Sequence, residues 1–295
     1  MNKPAGLLDD RFGSLIENID TLPPLPLVVN KVFAVINSPE SSAEDAAKLI
    51  EKDPVLTAHI LRLANSAFYG MPRSISSVSS AVVVLGFNTI RSLVLSMALV
   101  KMFPANSKMH GIDRMLFWKH CIVCGLAGKR IIQRQIHTLL IDPESVFCAG
   151  IMHDIGMLLF DEYSSGAYKE ICTSARVASM PLVVAEQQMI GLSHDAIGHM
   201  IADRWGLPPD LEAPIVYHHK IASAPRLSPN IAAVHVADCI AHAAGANLWD
   251  GQPVGIPDPQ ALAAVGLAQD DYTALCESIS AEIDKAEDFF SIIVS

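Results

Sequence analysis

The chain has 295 residues, 51% of them hydrophobic and 18% charged, with a mean hydropathy of +0.34, which excludes a disordered chain too polar to bury a core. Lysine and arginine number 21 against 31 acidic residues, a net charge of -10, so a nucleic-acid backbone or an anionic membrane is excluded as the main partner. Residues 1–109 carry 10 basic and 9 acidic side chains and residues 110–295 carry 11 and 22, and only His59 of the 11 histidines precedes His110.

The segment Met1 to Gly13 reaches Asp9 and Asp10 before any apolar run forms, so no secretory signal is expected. Six cysteines without dense, even spacing fit a reducing cytosol and a cytoplasmic location. Nearly every periodic segment has helical spacing, and no alternating strand pattern is bounded by Asn-Gly or Asp-Gly turns, so the fold class is all-α. After the proline-rich opening Leu22-Pro23-Pro24-Leu25-Pro26, helices are predicted at Val28 to Ile36, Ser42 to Glu51 and Pro54 to Ala67. Ser41 and Ser42, followed by Glu44 and Asp45, supply acceptors and carboxylates to the first turn of the second of these. Asp53 caps the third, with Pro54 at its first position. Gly70, Met71 and Pro72 then break the chain. The stretch Ser74 to Val100 is the nearest thing to a membrane span, but Asn88 and Arg91 interrupt it, and it is read as buried helices. Pro104, Asn106, Ser107 and Gly111 mark a lobe boundary within Met102 to Gly111. A two-lobed helical bundle is expected, with an N-terminal lobe at 1–109 packed on a second lobe at 110–295. The latter ends in a Pro/Gly loop, Asp250 to Pro259, and a terminal helix from about Asp270 that serves as a packing or partner element.

Four apolar helical stripes carry polar interruptions. They are Leu116, His120, Val123, Ala127; Phe147, Ile151, Asp154, Leu158, with His153 adjacent; His194, Ile197, Ile201, Trp205; and Ile231, Val234, Asp238, Ala241. A buried carboxylate without a partner is too costly to persist, so Asp154 and Asp238 need cations or donors. Imidazoles and carboxylates converging from several helices are the requirement of a core metal site suited to zinc, iron or manganese. A lone histidine on an apolar face is more often a hydrogen-bonded core residue than a ligand. The adjacent pairs His153-Asp154 and His218-His219 weigh against four independent coincidences. His235 and His242 share a helix face with Asp238, so periodicity alone leaves open which residues bind. Cys121-x-x-Cys124 lies within a helix with no second pair and is read as core. Gly191-Leu192-Ser193-His194-Asp195 has Asp195 where a nucleophile elbow needs glycine, with no strand before it. No phosphate-cradling glycine loop is present.

These residues resemble the HDOD proteins, a bacterial regulatory branch of the HD metal-phosphohydrolase superfamily. Leu22 to Pro26, Asp53-Pro54, Leu63-Ala64-Asn65-Ser66-Ala67-Phe68 and Ser80 to Arg91 look like landmarks of the first part. Ala149 to Gly156, Trp205-Gly206-Leu207-Pro208 and Tyr217-His218-His219 look like those of the second, and the resemblance covers about 20–240. It implies a ligand set of His120, His153, Asp154, His194, His218, His219 and Asp238, with Asp154 the bridge, holding one or two divalent ions of iron, manganese or zinc. Met157 stands where hydrolytic relatives often place a phosphate-contacting lysine. Lys220-Ile221-Ala222-Ser223 follows His219 in place of the Gly-Tyr-Pro of the cyclic-di-GMP phosphodiesterases. The resemblance therefore implies a signal-transduction output protein acting on a regulatory protein partner or small signalling ligand, with self-association open. A metal-dependent phosphohydrolase is the alternative and a di-iron oxygenase a lesser one.

Overall fold

Side-chain caps set the helix starts in the computed structural model, which describes residues 24–36, 38, 40–106, 111–164 and 166–294. The readings placed on Met1 to Gly13, on Leu22 and Pro23, and on Ser107 within the lobe boundary lie outside the described residues. Among the described residues the regular structure is helical throughout.

The first part comprises α1 (Leu27–Ile36), α2 (Ala43–Ile50), α3 (Pro54–Ala64), α4 (Val78–Leu85) and α5 (Phe87–Met102). Ser42 and Asp45 form a reciprocal capping box on α2, and Asp53 Oδ1 accepts from the Val55 and Leu56 N–H groups, both at 3.0 Å, on α3. The third helix ends at Ala64 and not at Ala67, because Asn65 leaves the helical path to bind the next loop. Its amide donates to the carbonyls of Leu61 (2.7 Å) and Ile75 (2.8 Å), and its Oδ1 accepts the Ile75 N–H at 2.7 Å. The apolar stretch before Val100 is two helices bent by 118° at Gly86, whose φ of +86° suits a residue without a Cβ. No single helix among the described residues is long and apolar enough to cross a membrane.

The second part comprises α6 (Arg114–Arg134), α7 (Pro143–Met152), α8 (Ile155–Tyr163), α9 (Tyr168–Ala178), α10 (Leu182–Ile190), α11 (His194–Arg204) and α12 (Pro209–Tyr217). After a short 3₁₀ turn follow α13 (Pro229–Ala243), α14 (Pro259–Ala264), α15 (Gln269–Ala281) and α16 (Ile283–Val294). Helix α6 is the spine, packed by α7, α13 and α16. Two glycines let α6 and α7 touch backbone to backbone: a Cβ on Gly150 would lie 2.7 Å from the Gly125 Cα. The predicted terminal helix is two helices, and the second packs inward. Phe289 is fully buried, with its ring 4.7 Å from that of Phe68 and 5.6 Å from that of Phe147. Buried apolar side chains of both parts form one continuous core. Polar clamps cross it: Ser92 Oγ donates to the Glu144 carbonyl (3.1 Å), Arg91 to Ser145 Oγ (3.0 Å), and Ser145 to Asp210 (2.6 Å).

Two stripes differ from their sequence reading. Leu116 is 37% exposed, because it lies in the first turn of α6, ahead of the packed region. The series Phe147, Ile151, Asp154, Leu158 crosses a helix break: α7 ends at Met152 and α8 begins at Ile155, with His153 and Asp154 at the corner. A corner exposes free backbone and lets adjacent residues aim in directions that one helix face would forbid.

Candidate metal centre

Two mid-helix positions and three helix ends aim polar side chains at one point. His120 comes from mid-α6, His153 and Asp154 from the α7–α8 corner, His194 from the first position of α11, His218 and His219 from the end of α12, and Asp238 from mid-α13. Gly156 makes the corner possible, since a Cβ there would lie 1.9 Å from the His194 carbonyl oxygen. Helices α8 and α11 therefore cross at backbone contact, and His194 reaches Asp154. All but His219 of these seven side chains are buried, and His219 is exposed.

The donors fall into two groups, Asp154, His194, His218 and His219 in one and His120, His153 and Asp238 in the other. Asp154 serves both. Its Oδ1 lies 3.1 Å from His194 Nε2 and 3.3 Å from His218 Nε2, and its Oδ2 lies 3.2 Å from His153 Nε2 and 3.9 Å from His120 Nε2. His120 Nε2 is 3.2 Å from Asp238 Oδ1 and 3.4 Å from His153 Nε2. Donors sharing an ion at bonds of about 2.1 Å stand about 3.0–3.4 Å apart at angles between 90° and tetrahedral. Most of these spacings fall in that range.

Outward hydrogen bonds fix which ring nitrogen faces inward. Nδ1–H of His120 donates to the Ala246 carbonyl (2.8 Å), that of His153 to Gly150 (2.6 Å), and that of His218 to Pro214 (3.0 Å) and Ile215 (3.1 Å). His194 Nδ1–H donates to Glu186 Oε2 at 2.7 Å, and the same oxygen accepts the His194 backbone N–H at 2.8 Å. The Tyr168 hydroxyl donates to the other Glu186 oxygen. Glu186 and Tyr168 are both fully buried. With Nδ1 so occupied, each neutral ring points an Nε2 lone pair at the shared space, the arrangement in which outer partners orient metal-binding histidines. Asp154 Oδ1, His194 Nε2 and His218 Nε2 are buried with no hydrogen-bond partner. Three acceptors packed together and left unsatisfied fit a shared cation, or a proton carried on His194 and donated to Asp154.

Electrostatics agree with that fit. Burial by itself opposes charge on His153 and His194. The pull of Asp154, joined by Cys124, at His153 and that of Glu186, joined by Asp154, at His194 outweighs it and raises both well above the ordinary imidazole value. Burial likewise opposes charge on Asp154 and Asp238. Surrounding imidazoles, His153 and His194 around Asp154 and His242 and His120 around Asp238, hold them well below the usual carboxylate range. Burial keeps His218 below the ordinary value, so its ring is neutral. The pocket thus draws positive charge, from protons or from metal.

All seven residues singled out in the sequence are brought together. His242 adjoins them, with Nε2 3.4 Å from Asp238 Oδ1, while His235 does not: its Nδ1–H donates to the His218 carbonyl (2.7 Å) and its Nε2 accepts the Asp258 N–H (2.9 Å). Cys121 and Cys124 are free and buried. Sequence reasoning missed Glu186, although it interrupts the apolar series Leu182, Ala185, Ile190 of α10 just as Asp238 interrupts its own. Met157 is buried on α8, one turn past the corner. Lys220 is ion-paired with buried Asp195.

The chain is similar to an uncharacterised protein of Treponema pallidum (strain Nichols), 25% identical over 212 residues that make up 72% of this chain and 40% of that protein. It therefore spans less than half of that relative's length. Among solved structures, a protein from Shewanella amazonensis SB2B provisionally named a phosphohydrolase is 27% identical, with a TM-score of 0.73 over 95% of this chain and 98% of that one. An HDOD domain protein of unknown function from Geobacter sulfurreducens is 24% identical, with a TM-score of 0.74 over 96% and 97%. A protein from Marinobacter aquaeolei VT8 provisionally named for signal transduction shares the fold at 20% identity, with a TM-score of 0.79 over 97% of this chain and 65% of that one. The HDOD domain model matches residues 22–221, about two thirds of the sequence, and the chain belongs to the HDOD family.

Proposed function

We propose that this chain is a cytoplasmic signal-output protein that carries a divalent metal centre and acts by binding a regulatory protein or small signalling ligand, without turnover. The observation that carries this reading is the lack of a free lysine or arginine beside the donors among the described residues. Met157 offers a thioether where hydrolytic relatives are expected to place lysine, and the nearby Lys220 is held by Asp195. A developing phosphoryl oxyanion needs such a cation in addition to the metal. Six free cysteines support a reducing compartment.

His120, His153 and Asp238 would hold one ion and His194, His218 and His219 a second, with Asp154 between them. Such a centre, when filled by iron, manganese or zinc, supplies an acidified water and a Lewis acid. The chain's own contribution is to orient the imidazoles through Ala246, Gly150, Pro214 and Glu186, and to exclude water from the six buried side chains. A second reading, a metal-dependent phosphohydrolase, is favoured by His219, the one residue of the set with an exposed side chain. Elemental analysis of untagged protein purified without chelator, followed by a screen of nucleotides and cyclic dinucleotides with each metal, separates them. The expected result is bound metal and no turnover. Turnover that disappears in His153→Ala would replace the binding reading with the hydrolase.

A further inference from the structure

We propose that the cleft between α9 and the loop after α13 binds a nucleoside phosphate, and that its two walls connect it to opposite halves of the histidine–aspartate cluster. The cleft has a volume of about 450 Å³, within the size range of small-ligand sites, and Asp113, Lys169, Thr173, Arg176, Trp249 and Asp250 line it. Lys169, Thr173 and Arg176 stand at steps of four and three, on one face of α9. The Arg176 guanidinium lies 5.3 Å from the centre of the Trp249 ring, and its one hydrogen bond among those between described residues is a long one, 3.4 Å, to the Gly111 carbonyl. Neither Lys169 nor Arg176 has a carboxylate within ion-pair distance among the described residues.

That lack of pairing stands out in a half of the chain with 22 acidic and 11 basic residues. Of the two carboxylates in the cleft, Asp113 is occupied as the α6 cap, accepting from Met115 (2.9 Å) and Leu116 (3.2 Å). Asp250 is exposed and has no such duty. Two cations with donors to spare suit a phosphate, and the guanidinium fork more so than an ammonium. An indole beside them suits a planar base. Asp250 can accept from a ribose hydroxyl or an exocyclic amine. A bare anion would use only the first of these features, and an apolar ligand only the second.

Each wall leads inward. Tyr168 precedes Lys169 on α9, faces the core, and donates to the Glu186 that holds His194. On the other wall, Ala246 accepts from His120 Nδ1–H and Asn247 bonds to His242 Nδ1 (2.8 Å), three and two residues before Trp249. A ligand bridging α9 and Trp249 therefore acts on the supports of both donor groups. This site goes beyond the metal reading, and its occupancy requires no ion.

The test is calorimetric titration of the full chain with AMP, GMP, adenosine and inorganic phosphate, before and after chelator treatment. The expected result is saturable binding of at least one nucleotide. The Lys169→Ala/Arg176→Ala double variant and Trp249→Leu should each weaken it about tenfold or more, and phosphate and adenosine alone should bind at least about tenfold more weakly. Lys169 and Arg176 are exposed, so the double variant keeps the core, which a thermal melt verifies. Absence of saturable binding by either nucleotide up to about 5 mM, or binding indifferent to the double variant, would overturn the site. Phosphate binding as tightly as the nucleotides would overturn the assigned ligand class. Equal affinity in metal-loaded and metal-free protein would overturn the connection to the cluster. The chelated arm reads the site even in a chain that takes up no metal, so failure of the metal reading is seen separately.

Discussion

Replacing Asp154 by asparagine keeps the side chain's shape and removes its charge at the one position that faces both donor groups. The carboxylate lies 3.1 and 3.3 Å from His194 and His218 through one oxygen and 3.2 and 3.9 Å from His153 and His120 through the other. Without it the His194 group has no anionic donor, while the His120 group keeps Asp238. The variant is therefore expected to retain at most the ion beside Asp238. Each ion present at a hundred times its dissociation constant stabilises the fold by about 2.7 kcal/mol, so two contribute about 5.4 kcal/mol. At this chain length about 2–4 °C accompanies each kcal/mol, so chelation should lower the wild-type melting temperature by about 11–22 °C. The chelator shift of Asp154→Asn should be half of that or less. In metal-free protein, removing the buried anion from its imidazole partners costs a further ~3–5 kcal/mol, or ~6–20 °C. Elemental analysis together with melting curves with and without chelator measures all three quantities. An Asp154→Asn protein with wild-type metal content and an unchanged chelator shift would refute the bridging role.

Glu186→Gln keeps an acceptor for His194 Nδ1–H but removes the buried charge, and metal affinity measured by competition with a chelating dye should fall about 10–100-fold without loss of fold. An unchanged affinity would show that Glu186 merely fills space. Because His153 and His194 are raised above the ordinary imidazole value in the fold, their contribution to metal-free stability is fully present below about pH 6.5 and is lost as pH rises through the raised values. Metal competes with those protons, so its stabilisation grows over the same rise. Melts across pH should therefore show a metal-free curve falling and a metal-induced shift increasing, and parallel curves would contradict the assignment. Gly156→Ala places a Cβ 1.9 Å from the His194 carbonyl and must part α8 from α11. It should cost about 1–3 kcal/mol or more in denaturant unfolding and lower metal content as well. Full metal content with wild-type stability would show that the corner tolerates a side chain.

Several features were fixed locally and were legible as such. Ser42 and Asp53 start their helices through hydrogen bonds to residues two and three positions on. The all-α class and the buried polar positions His120, Asp154, His194 and Asp238 were also legible, because a histidine or aspartate on an apolar stripe must find a partner wherever that stripe is buried, whereas the full set of seven came only from the family resemblance. Periodicity reports that a face is buried but not what it meets. Leu116 shares its stripe with His120 yet lies exposed at the end of α6, beyond the packed region. The chain break at His153-Asp154 depends on α8 meeting α11 at Gly156, a contact between segments nearly forty residues apart. Glu186 gained its role only when α10 was laid against His194, and His235 lost its claim when Asp258 took its Nε2. The sequence by itself determined the all-α class, the caps that start α2 and α3 and the polar residues set into apolar faces, since each depends on short-range spacing. The tertiary structure alone decided which imidazole nitrogen faces inward and which carboxylate braces it, because those choices are made by hydrogen bonds between helices remote in the chain.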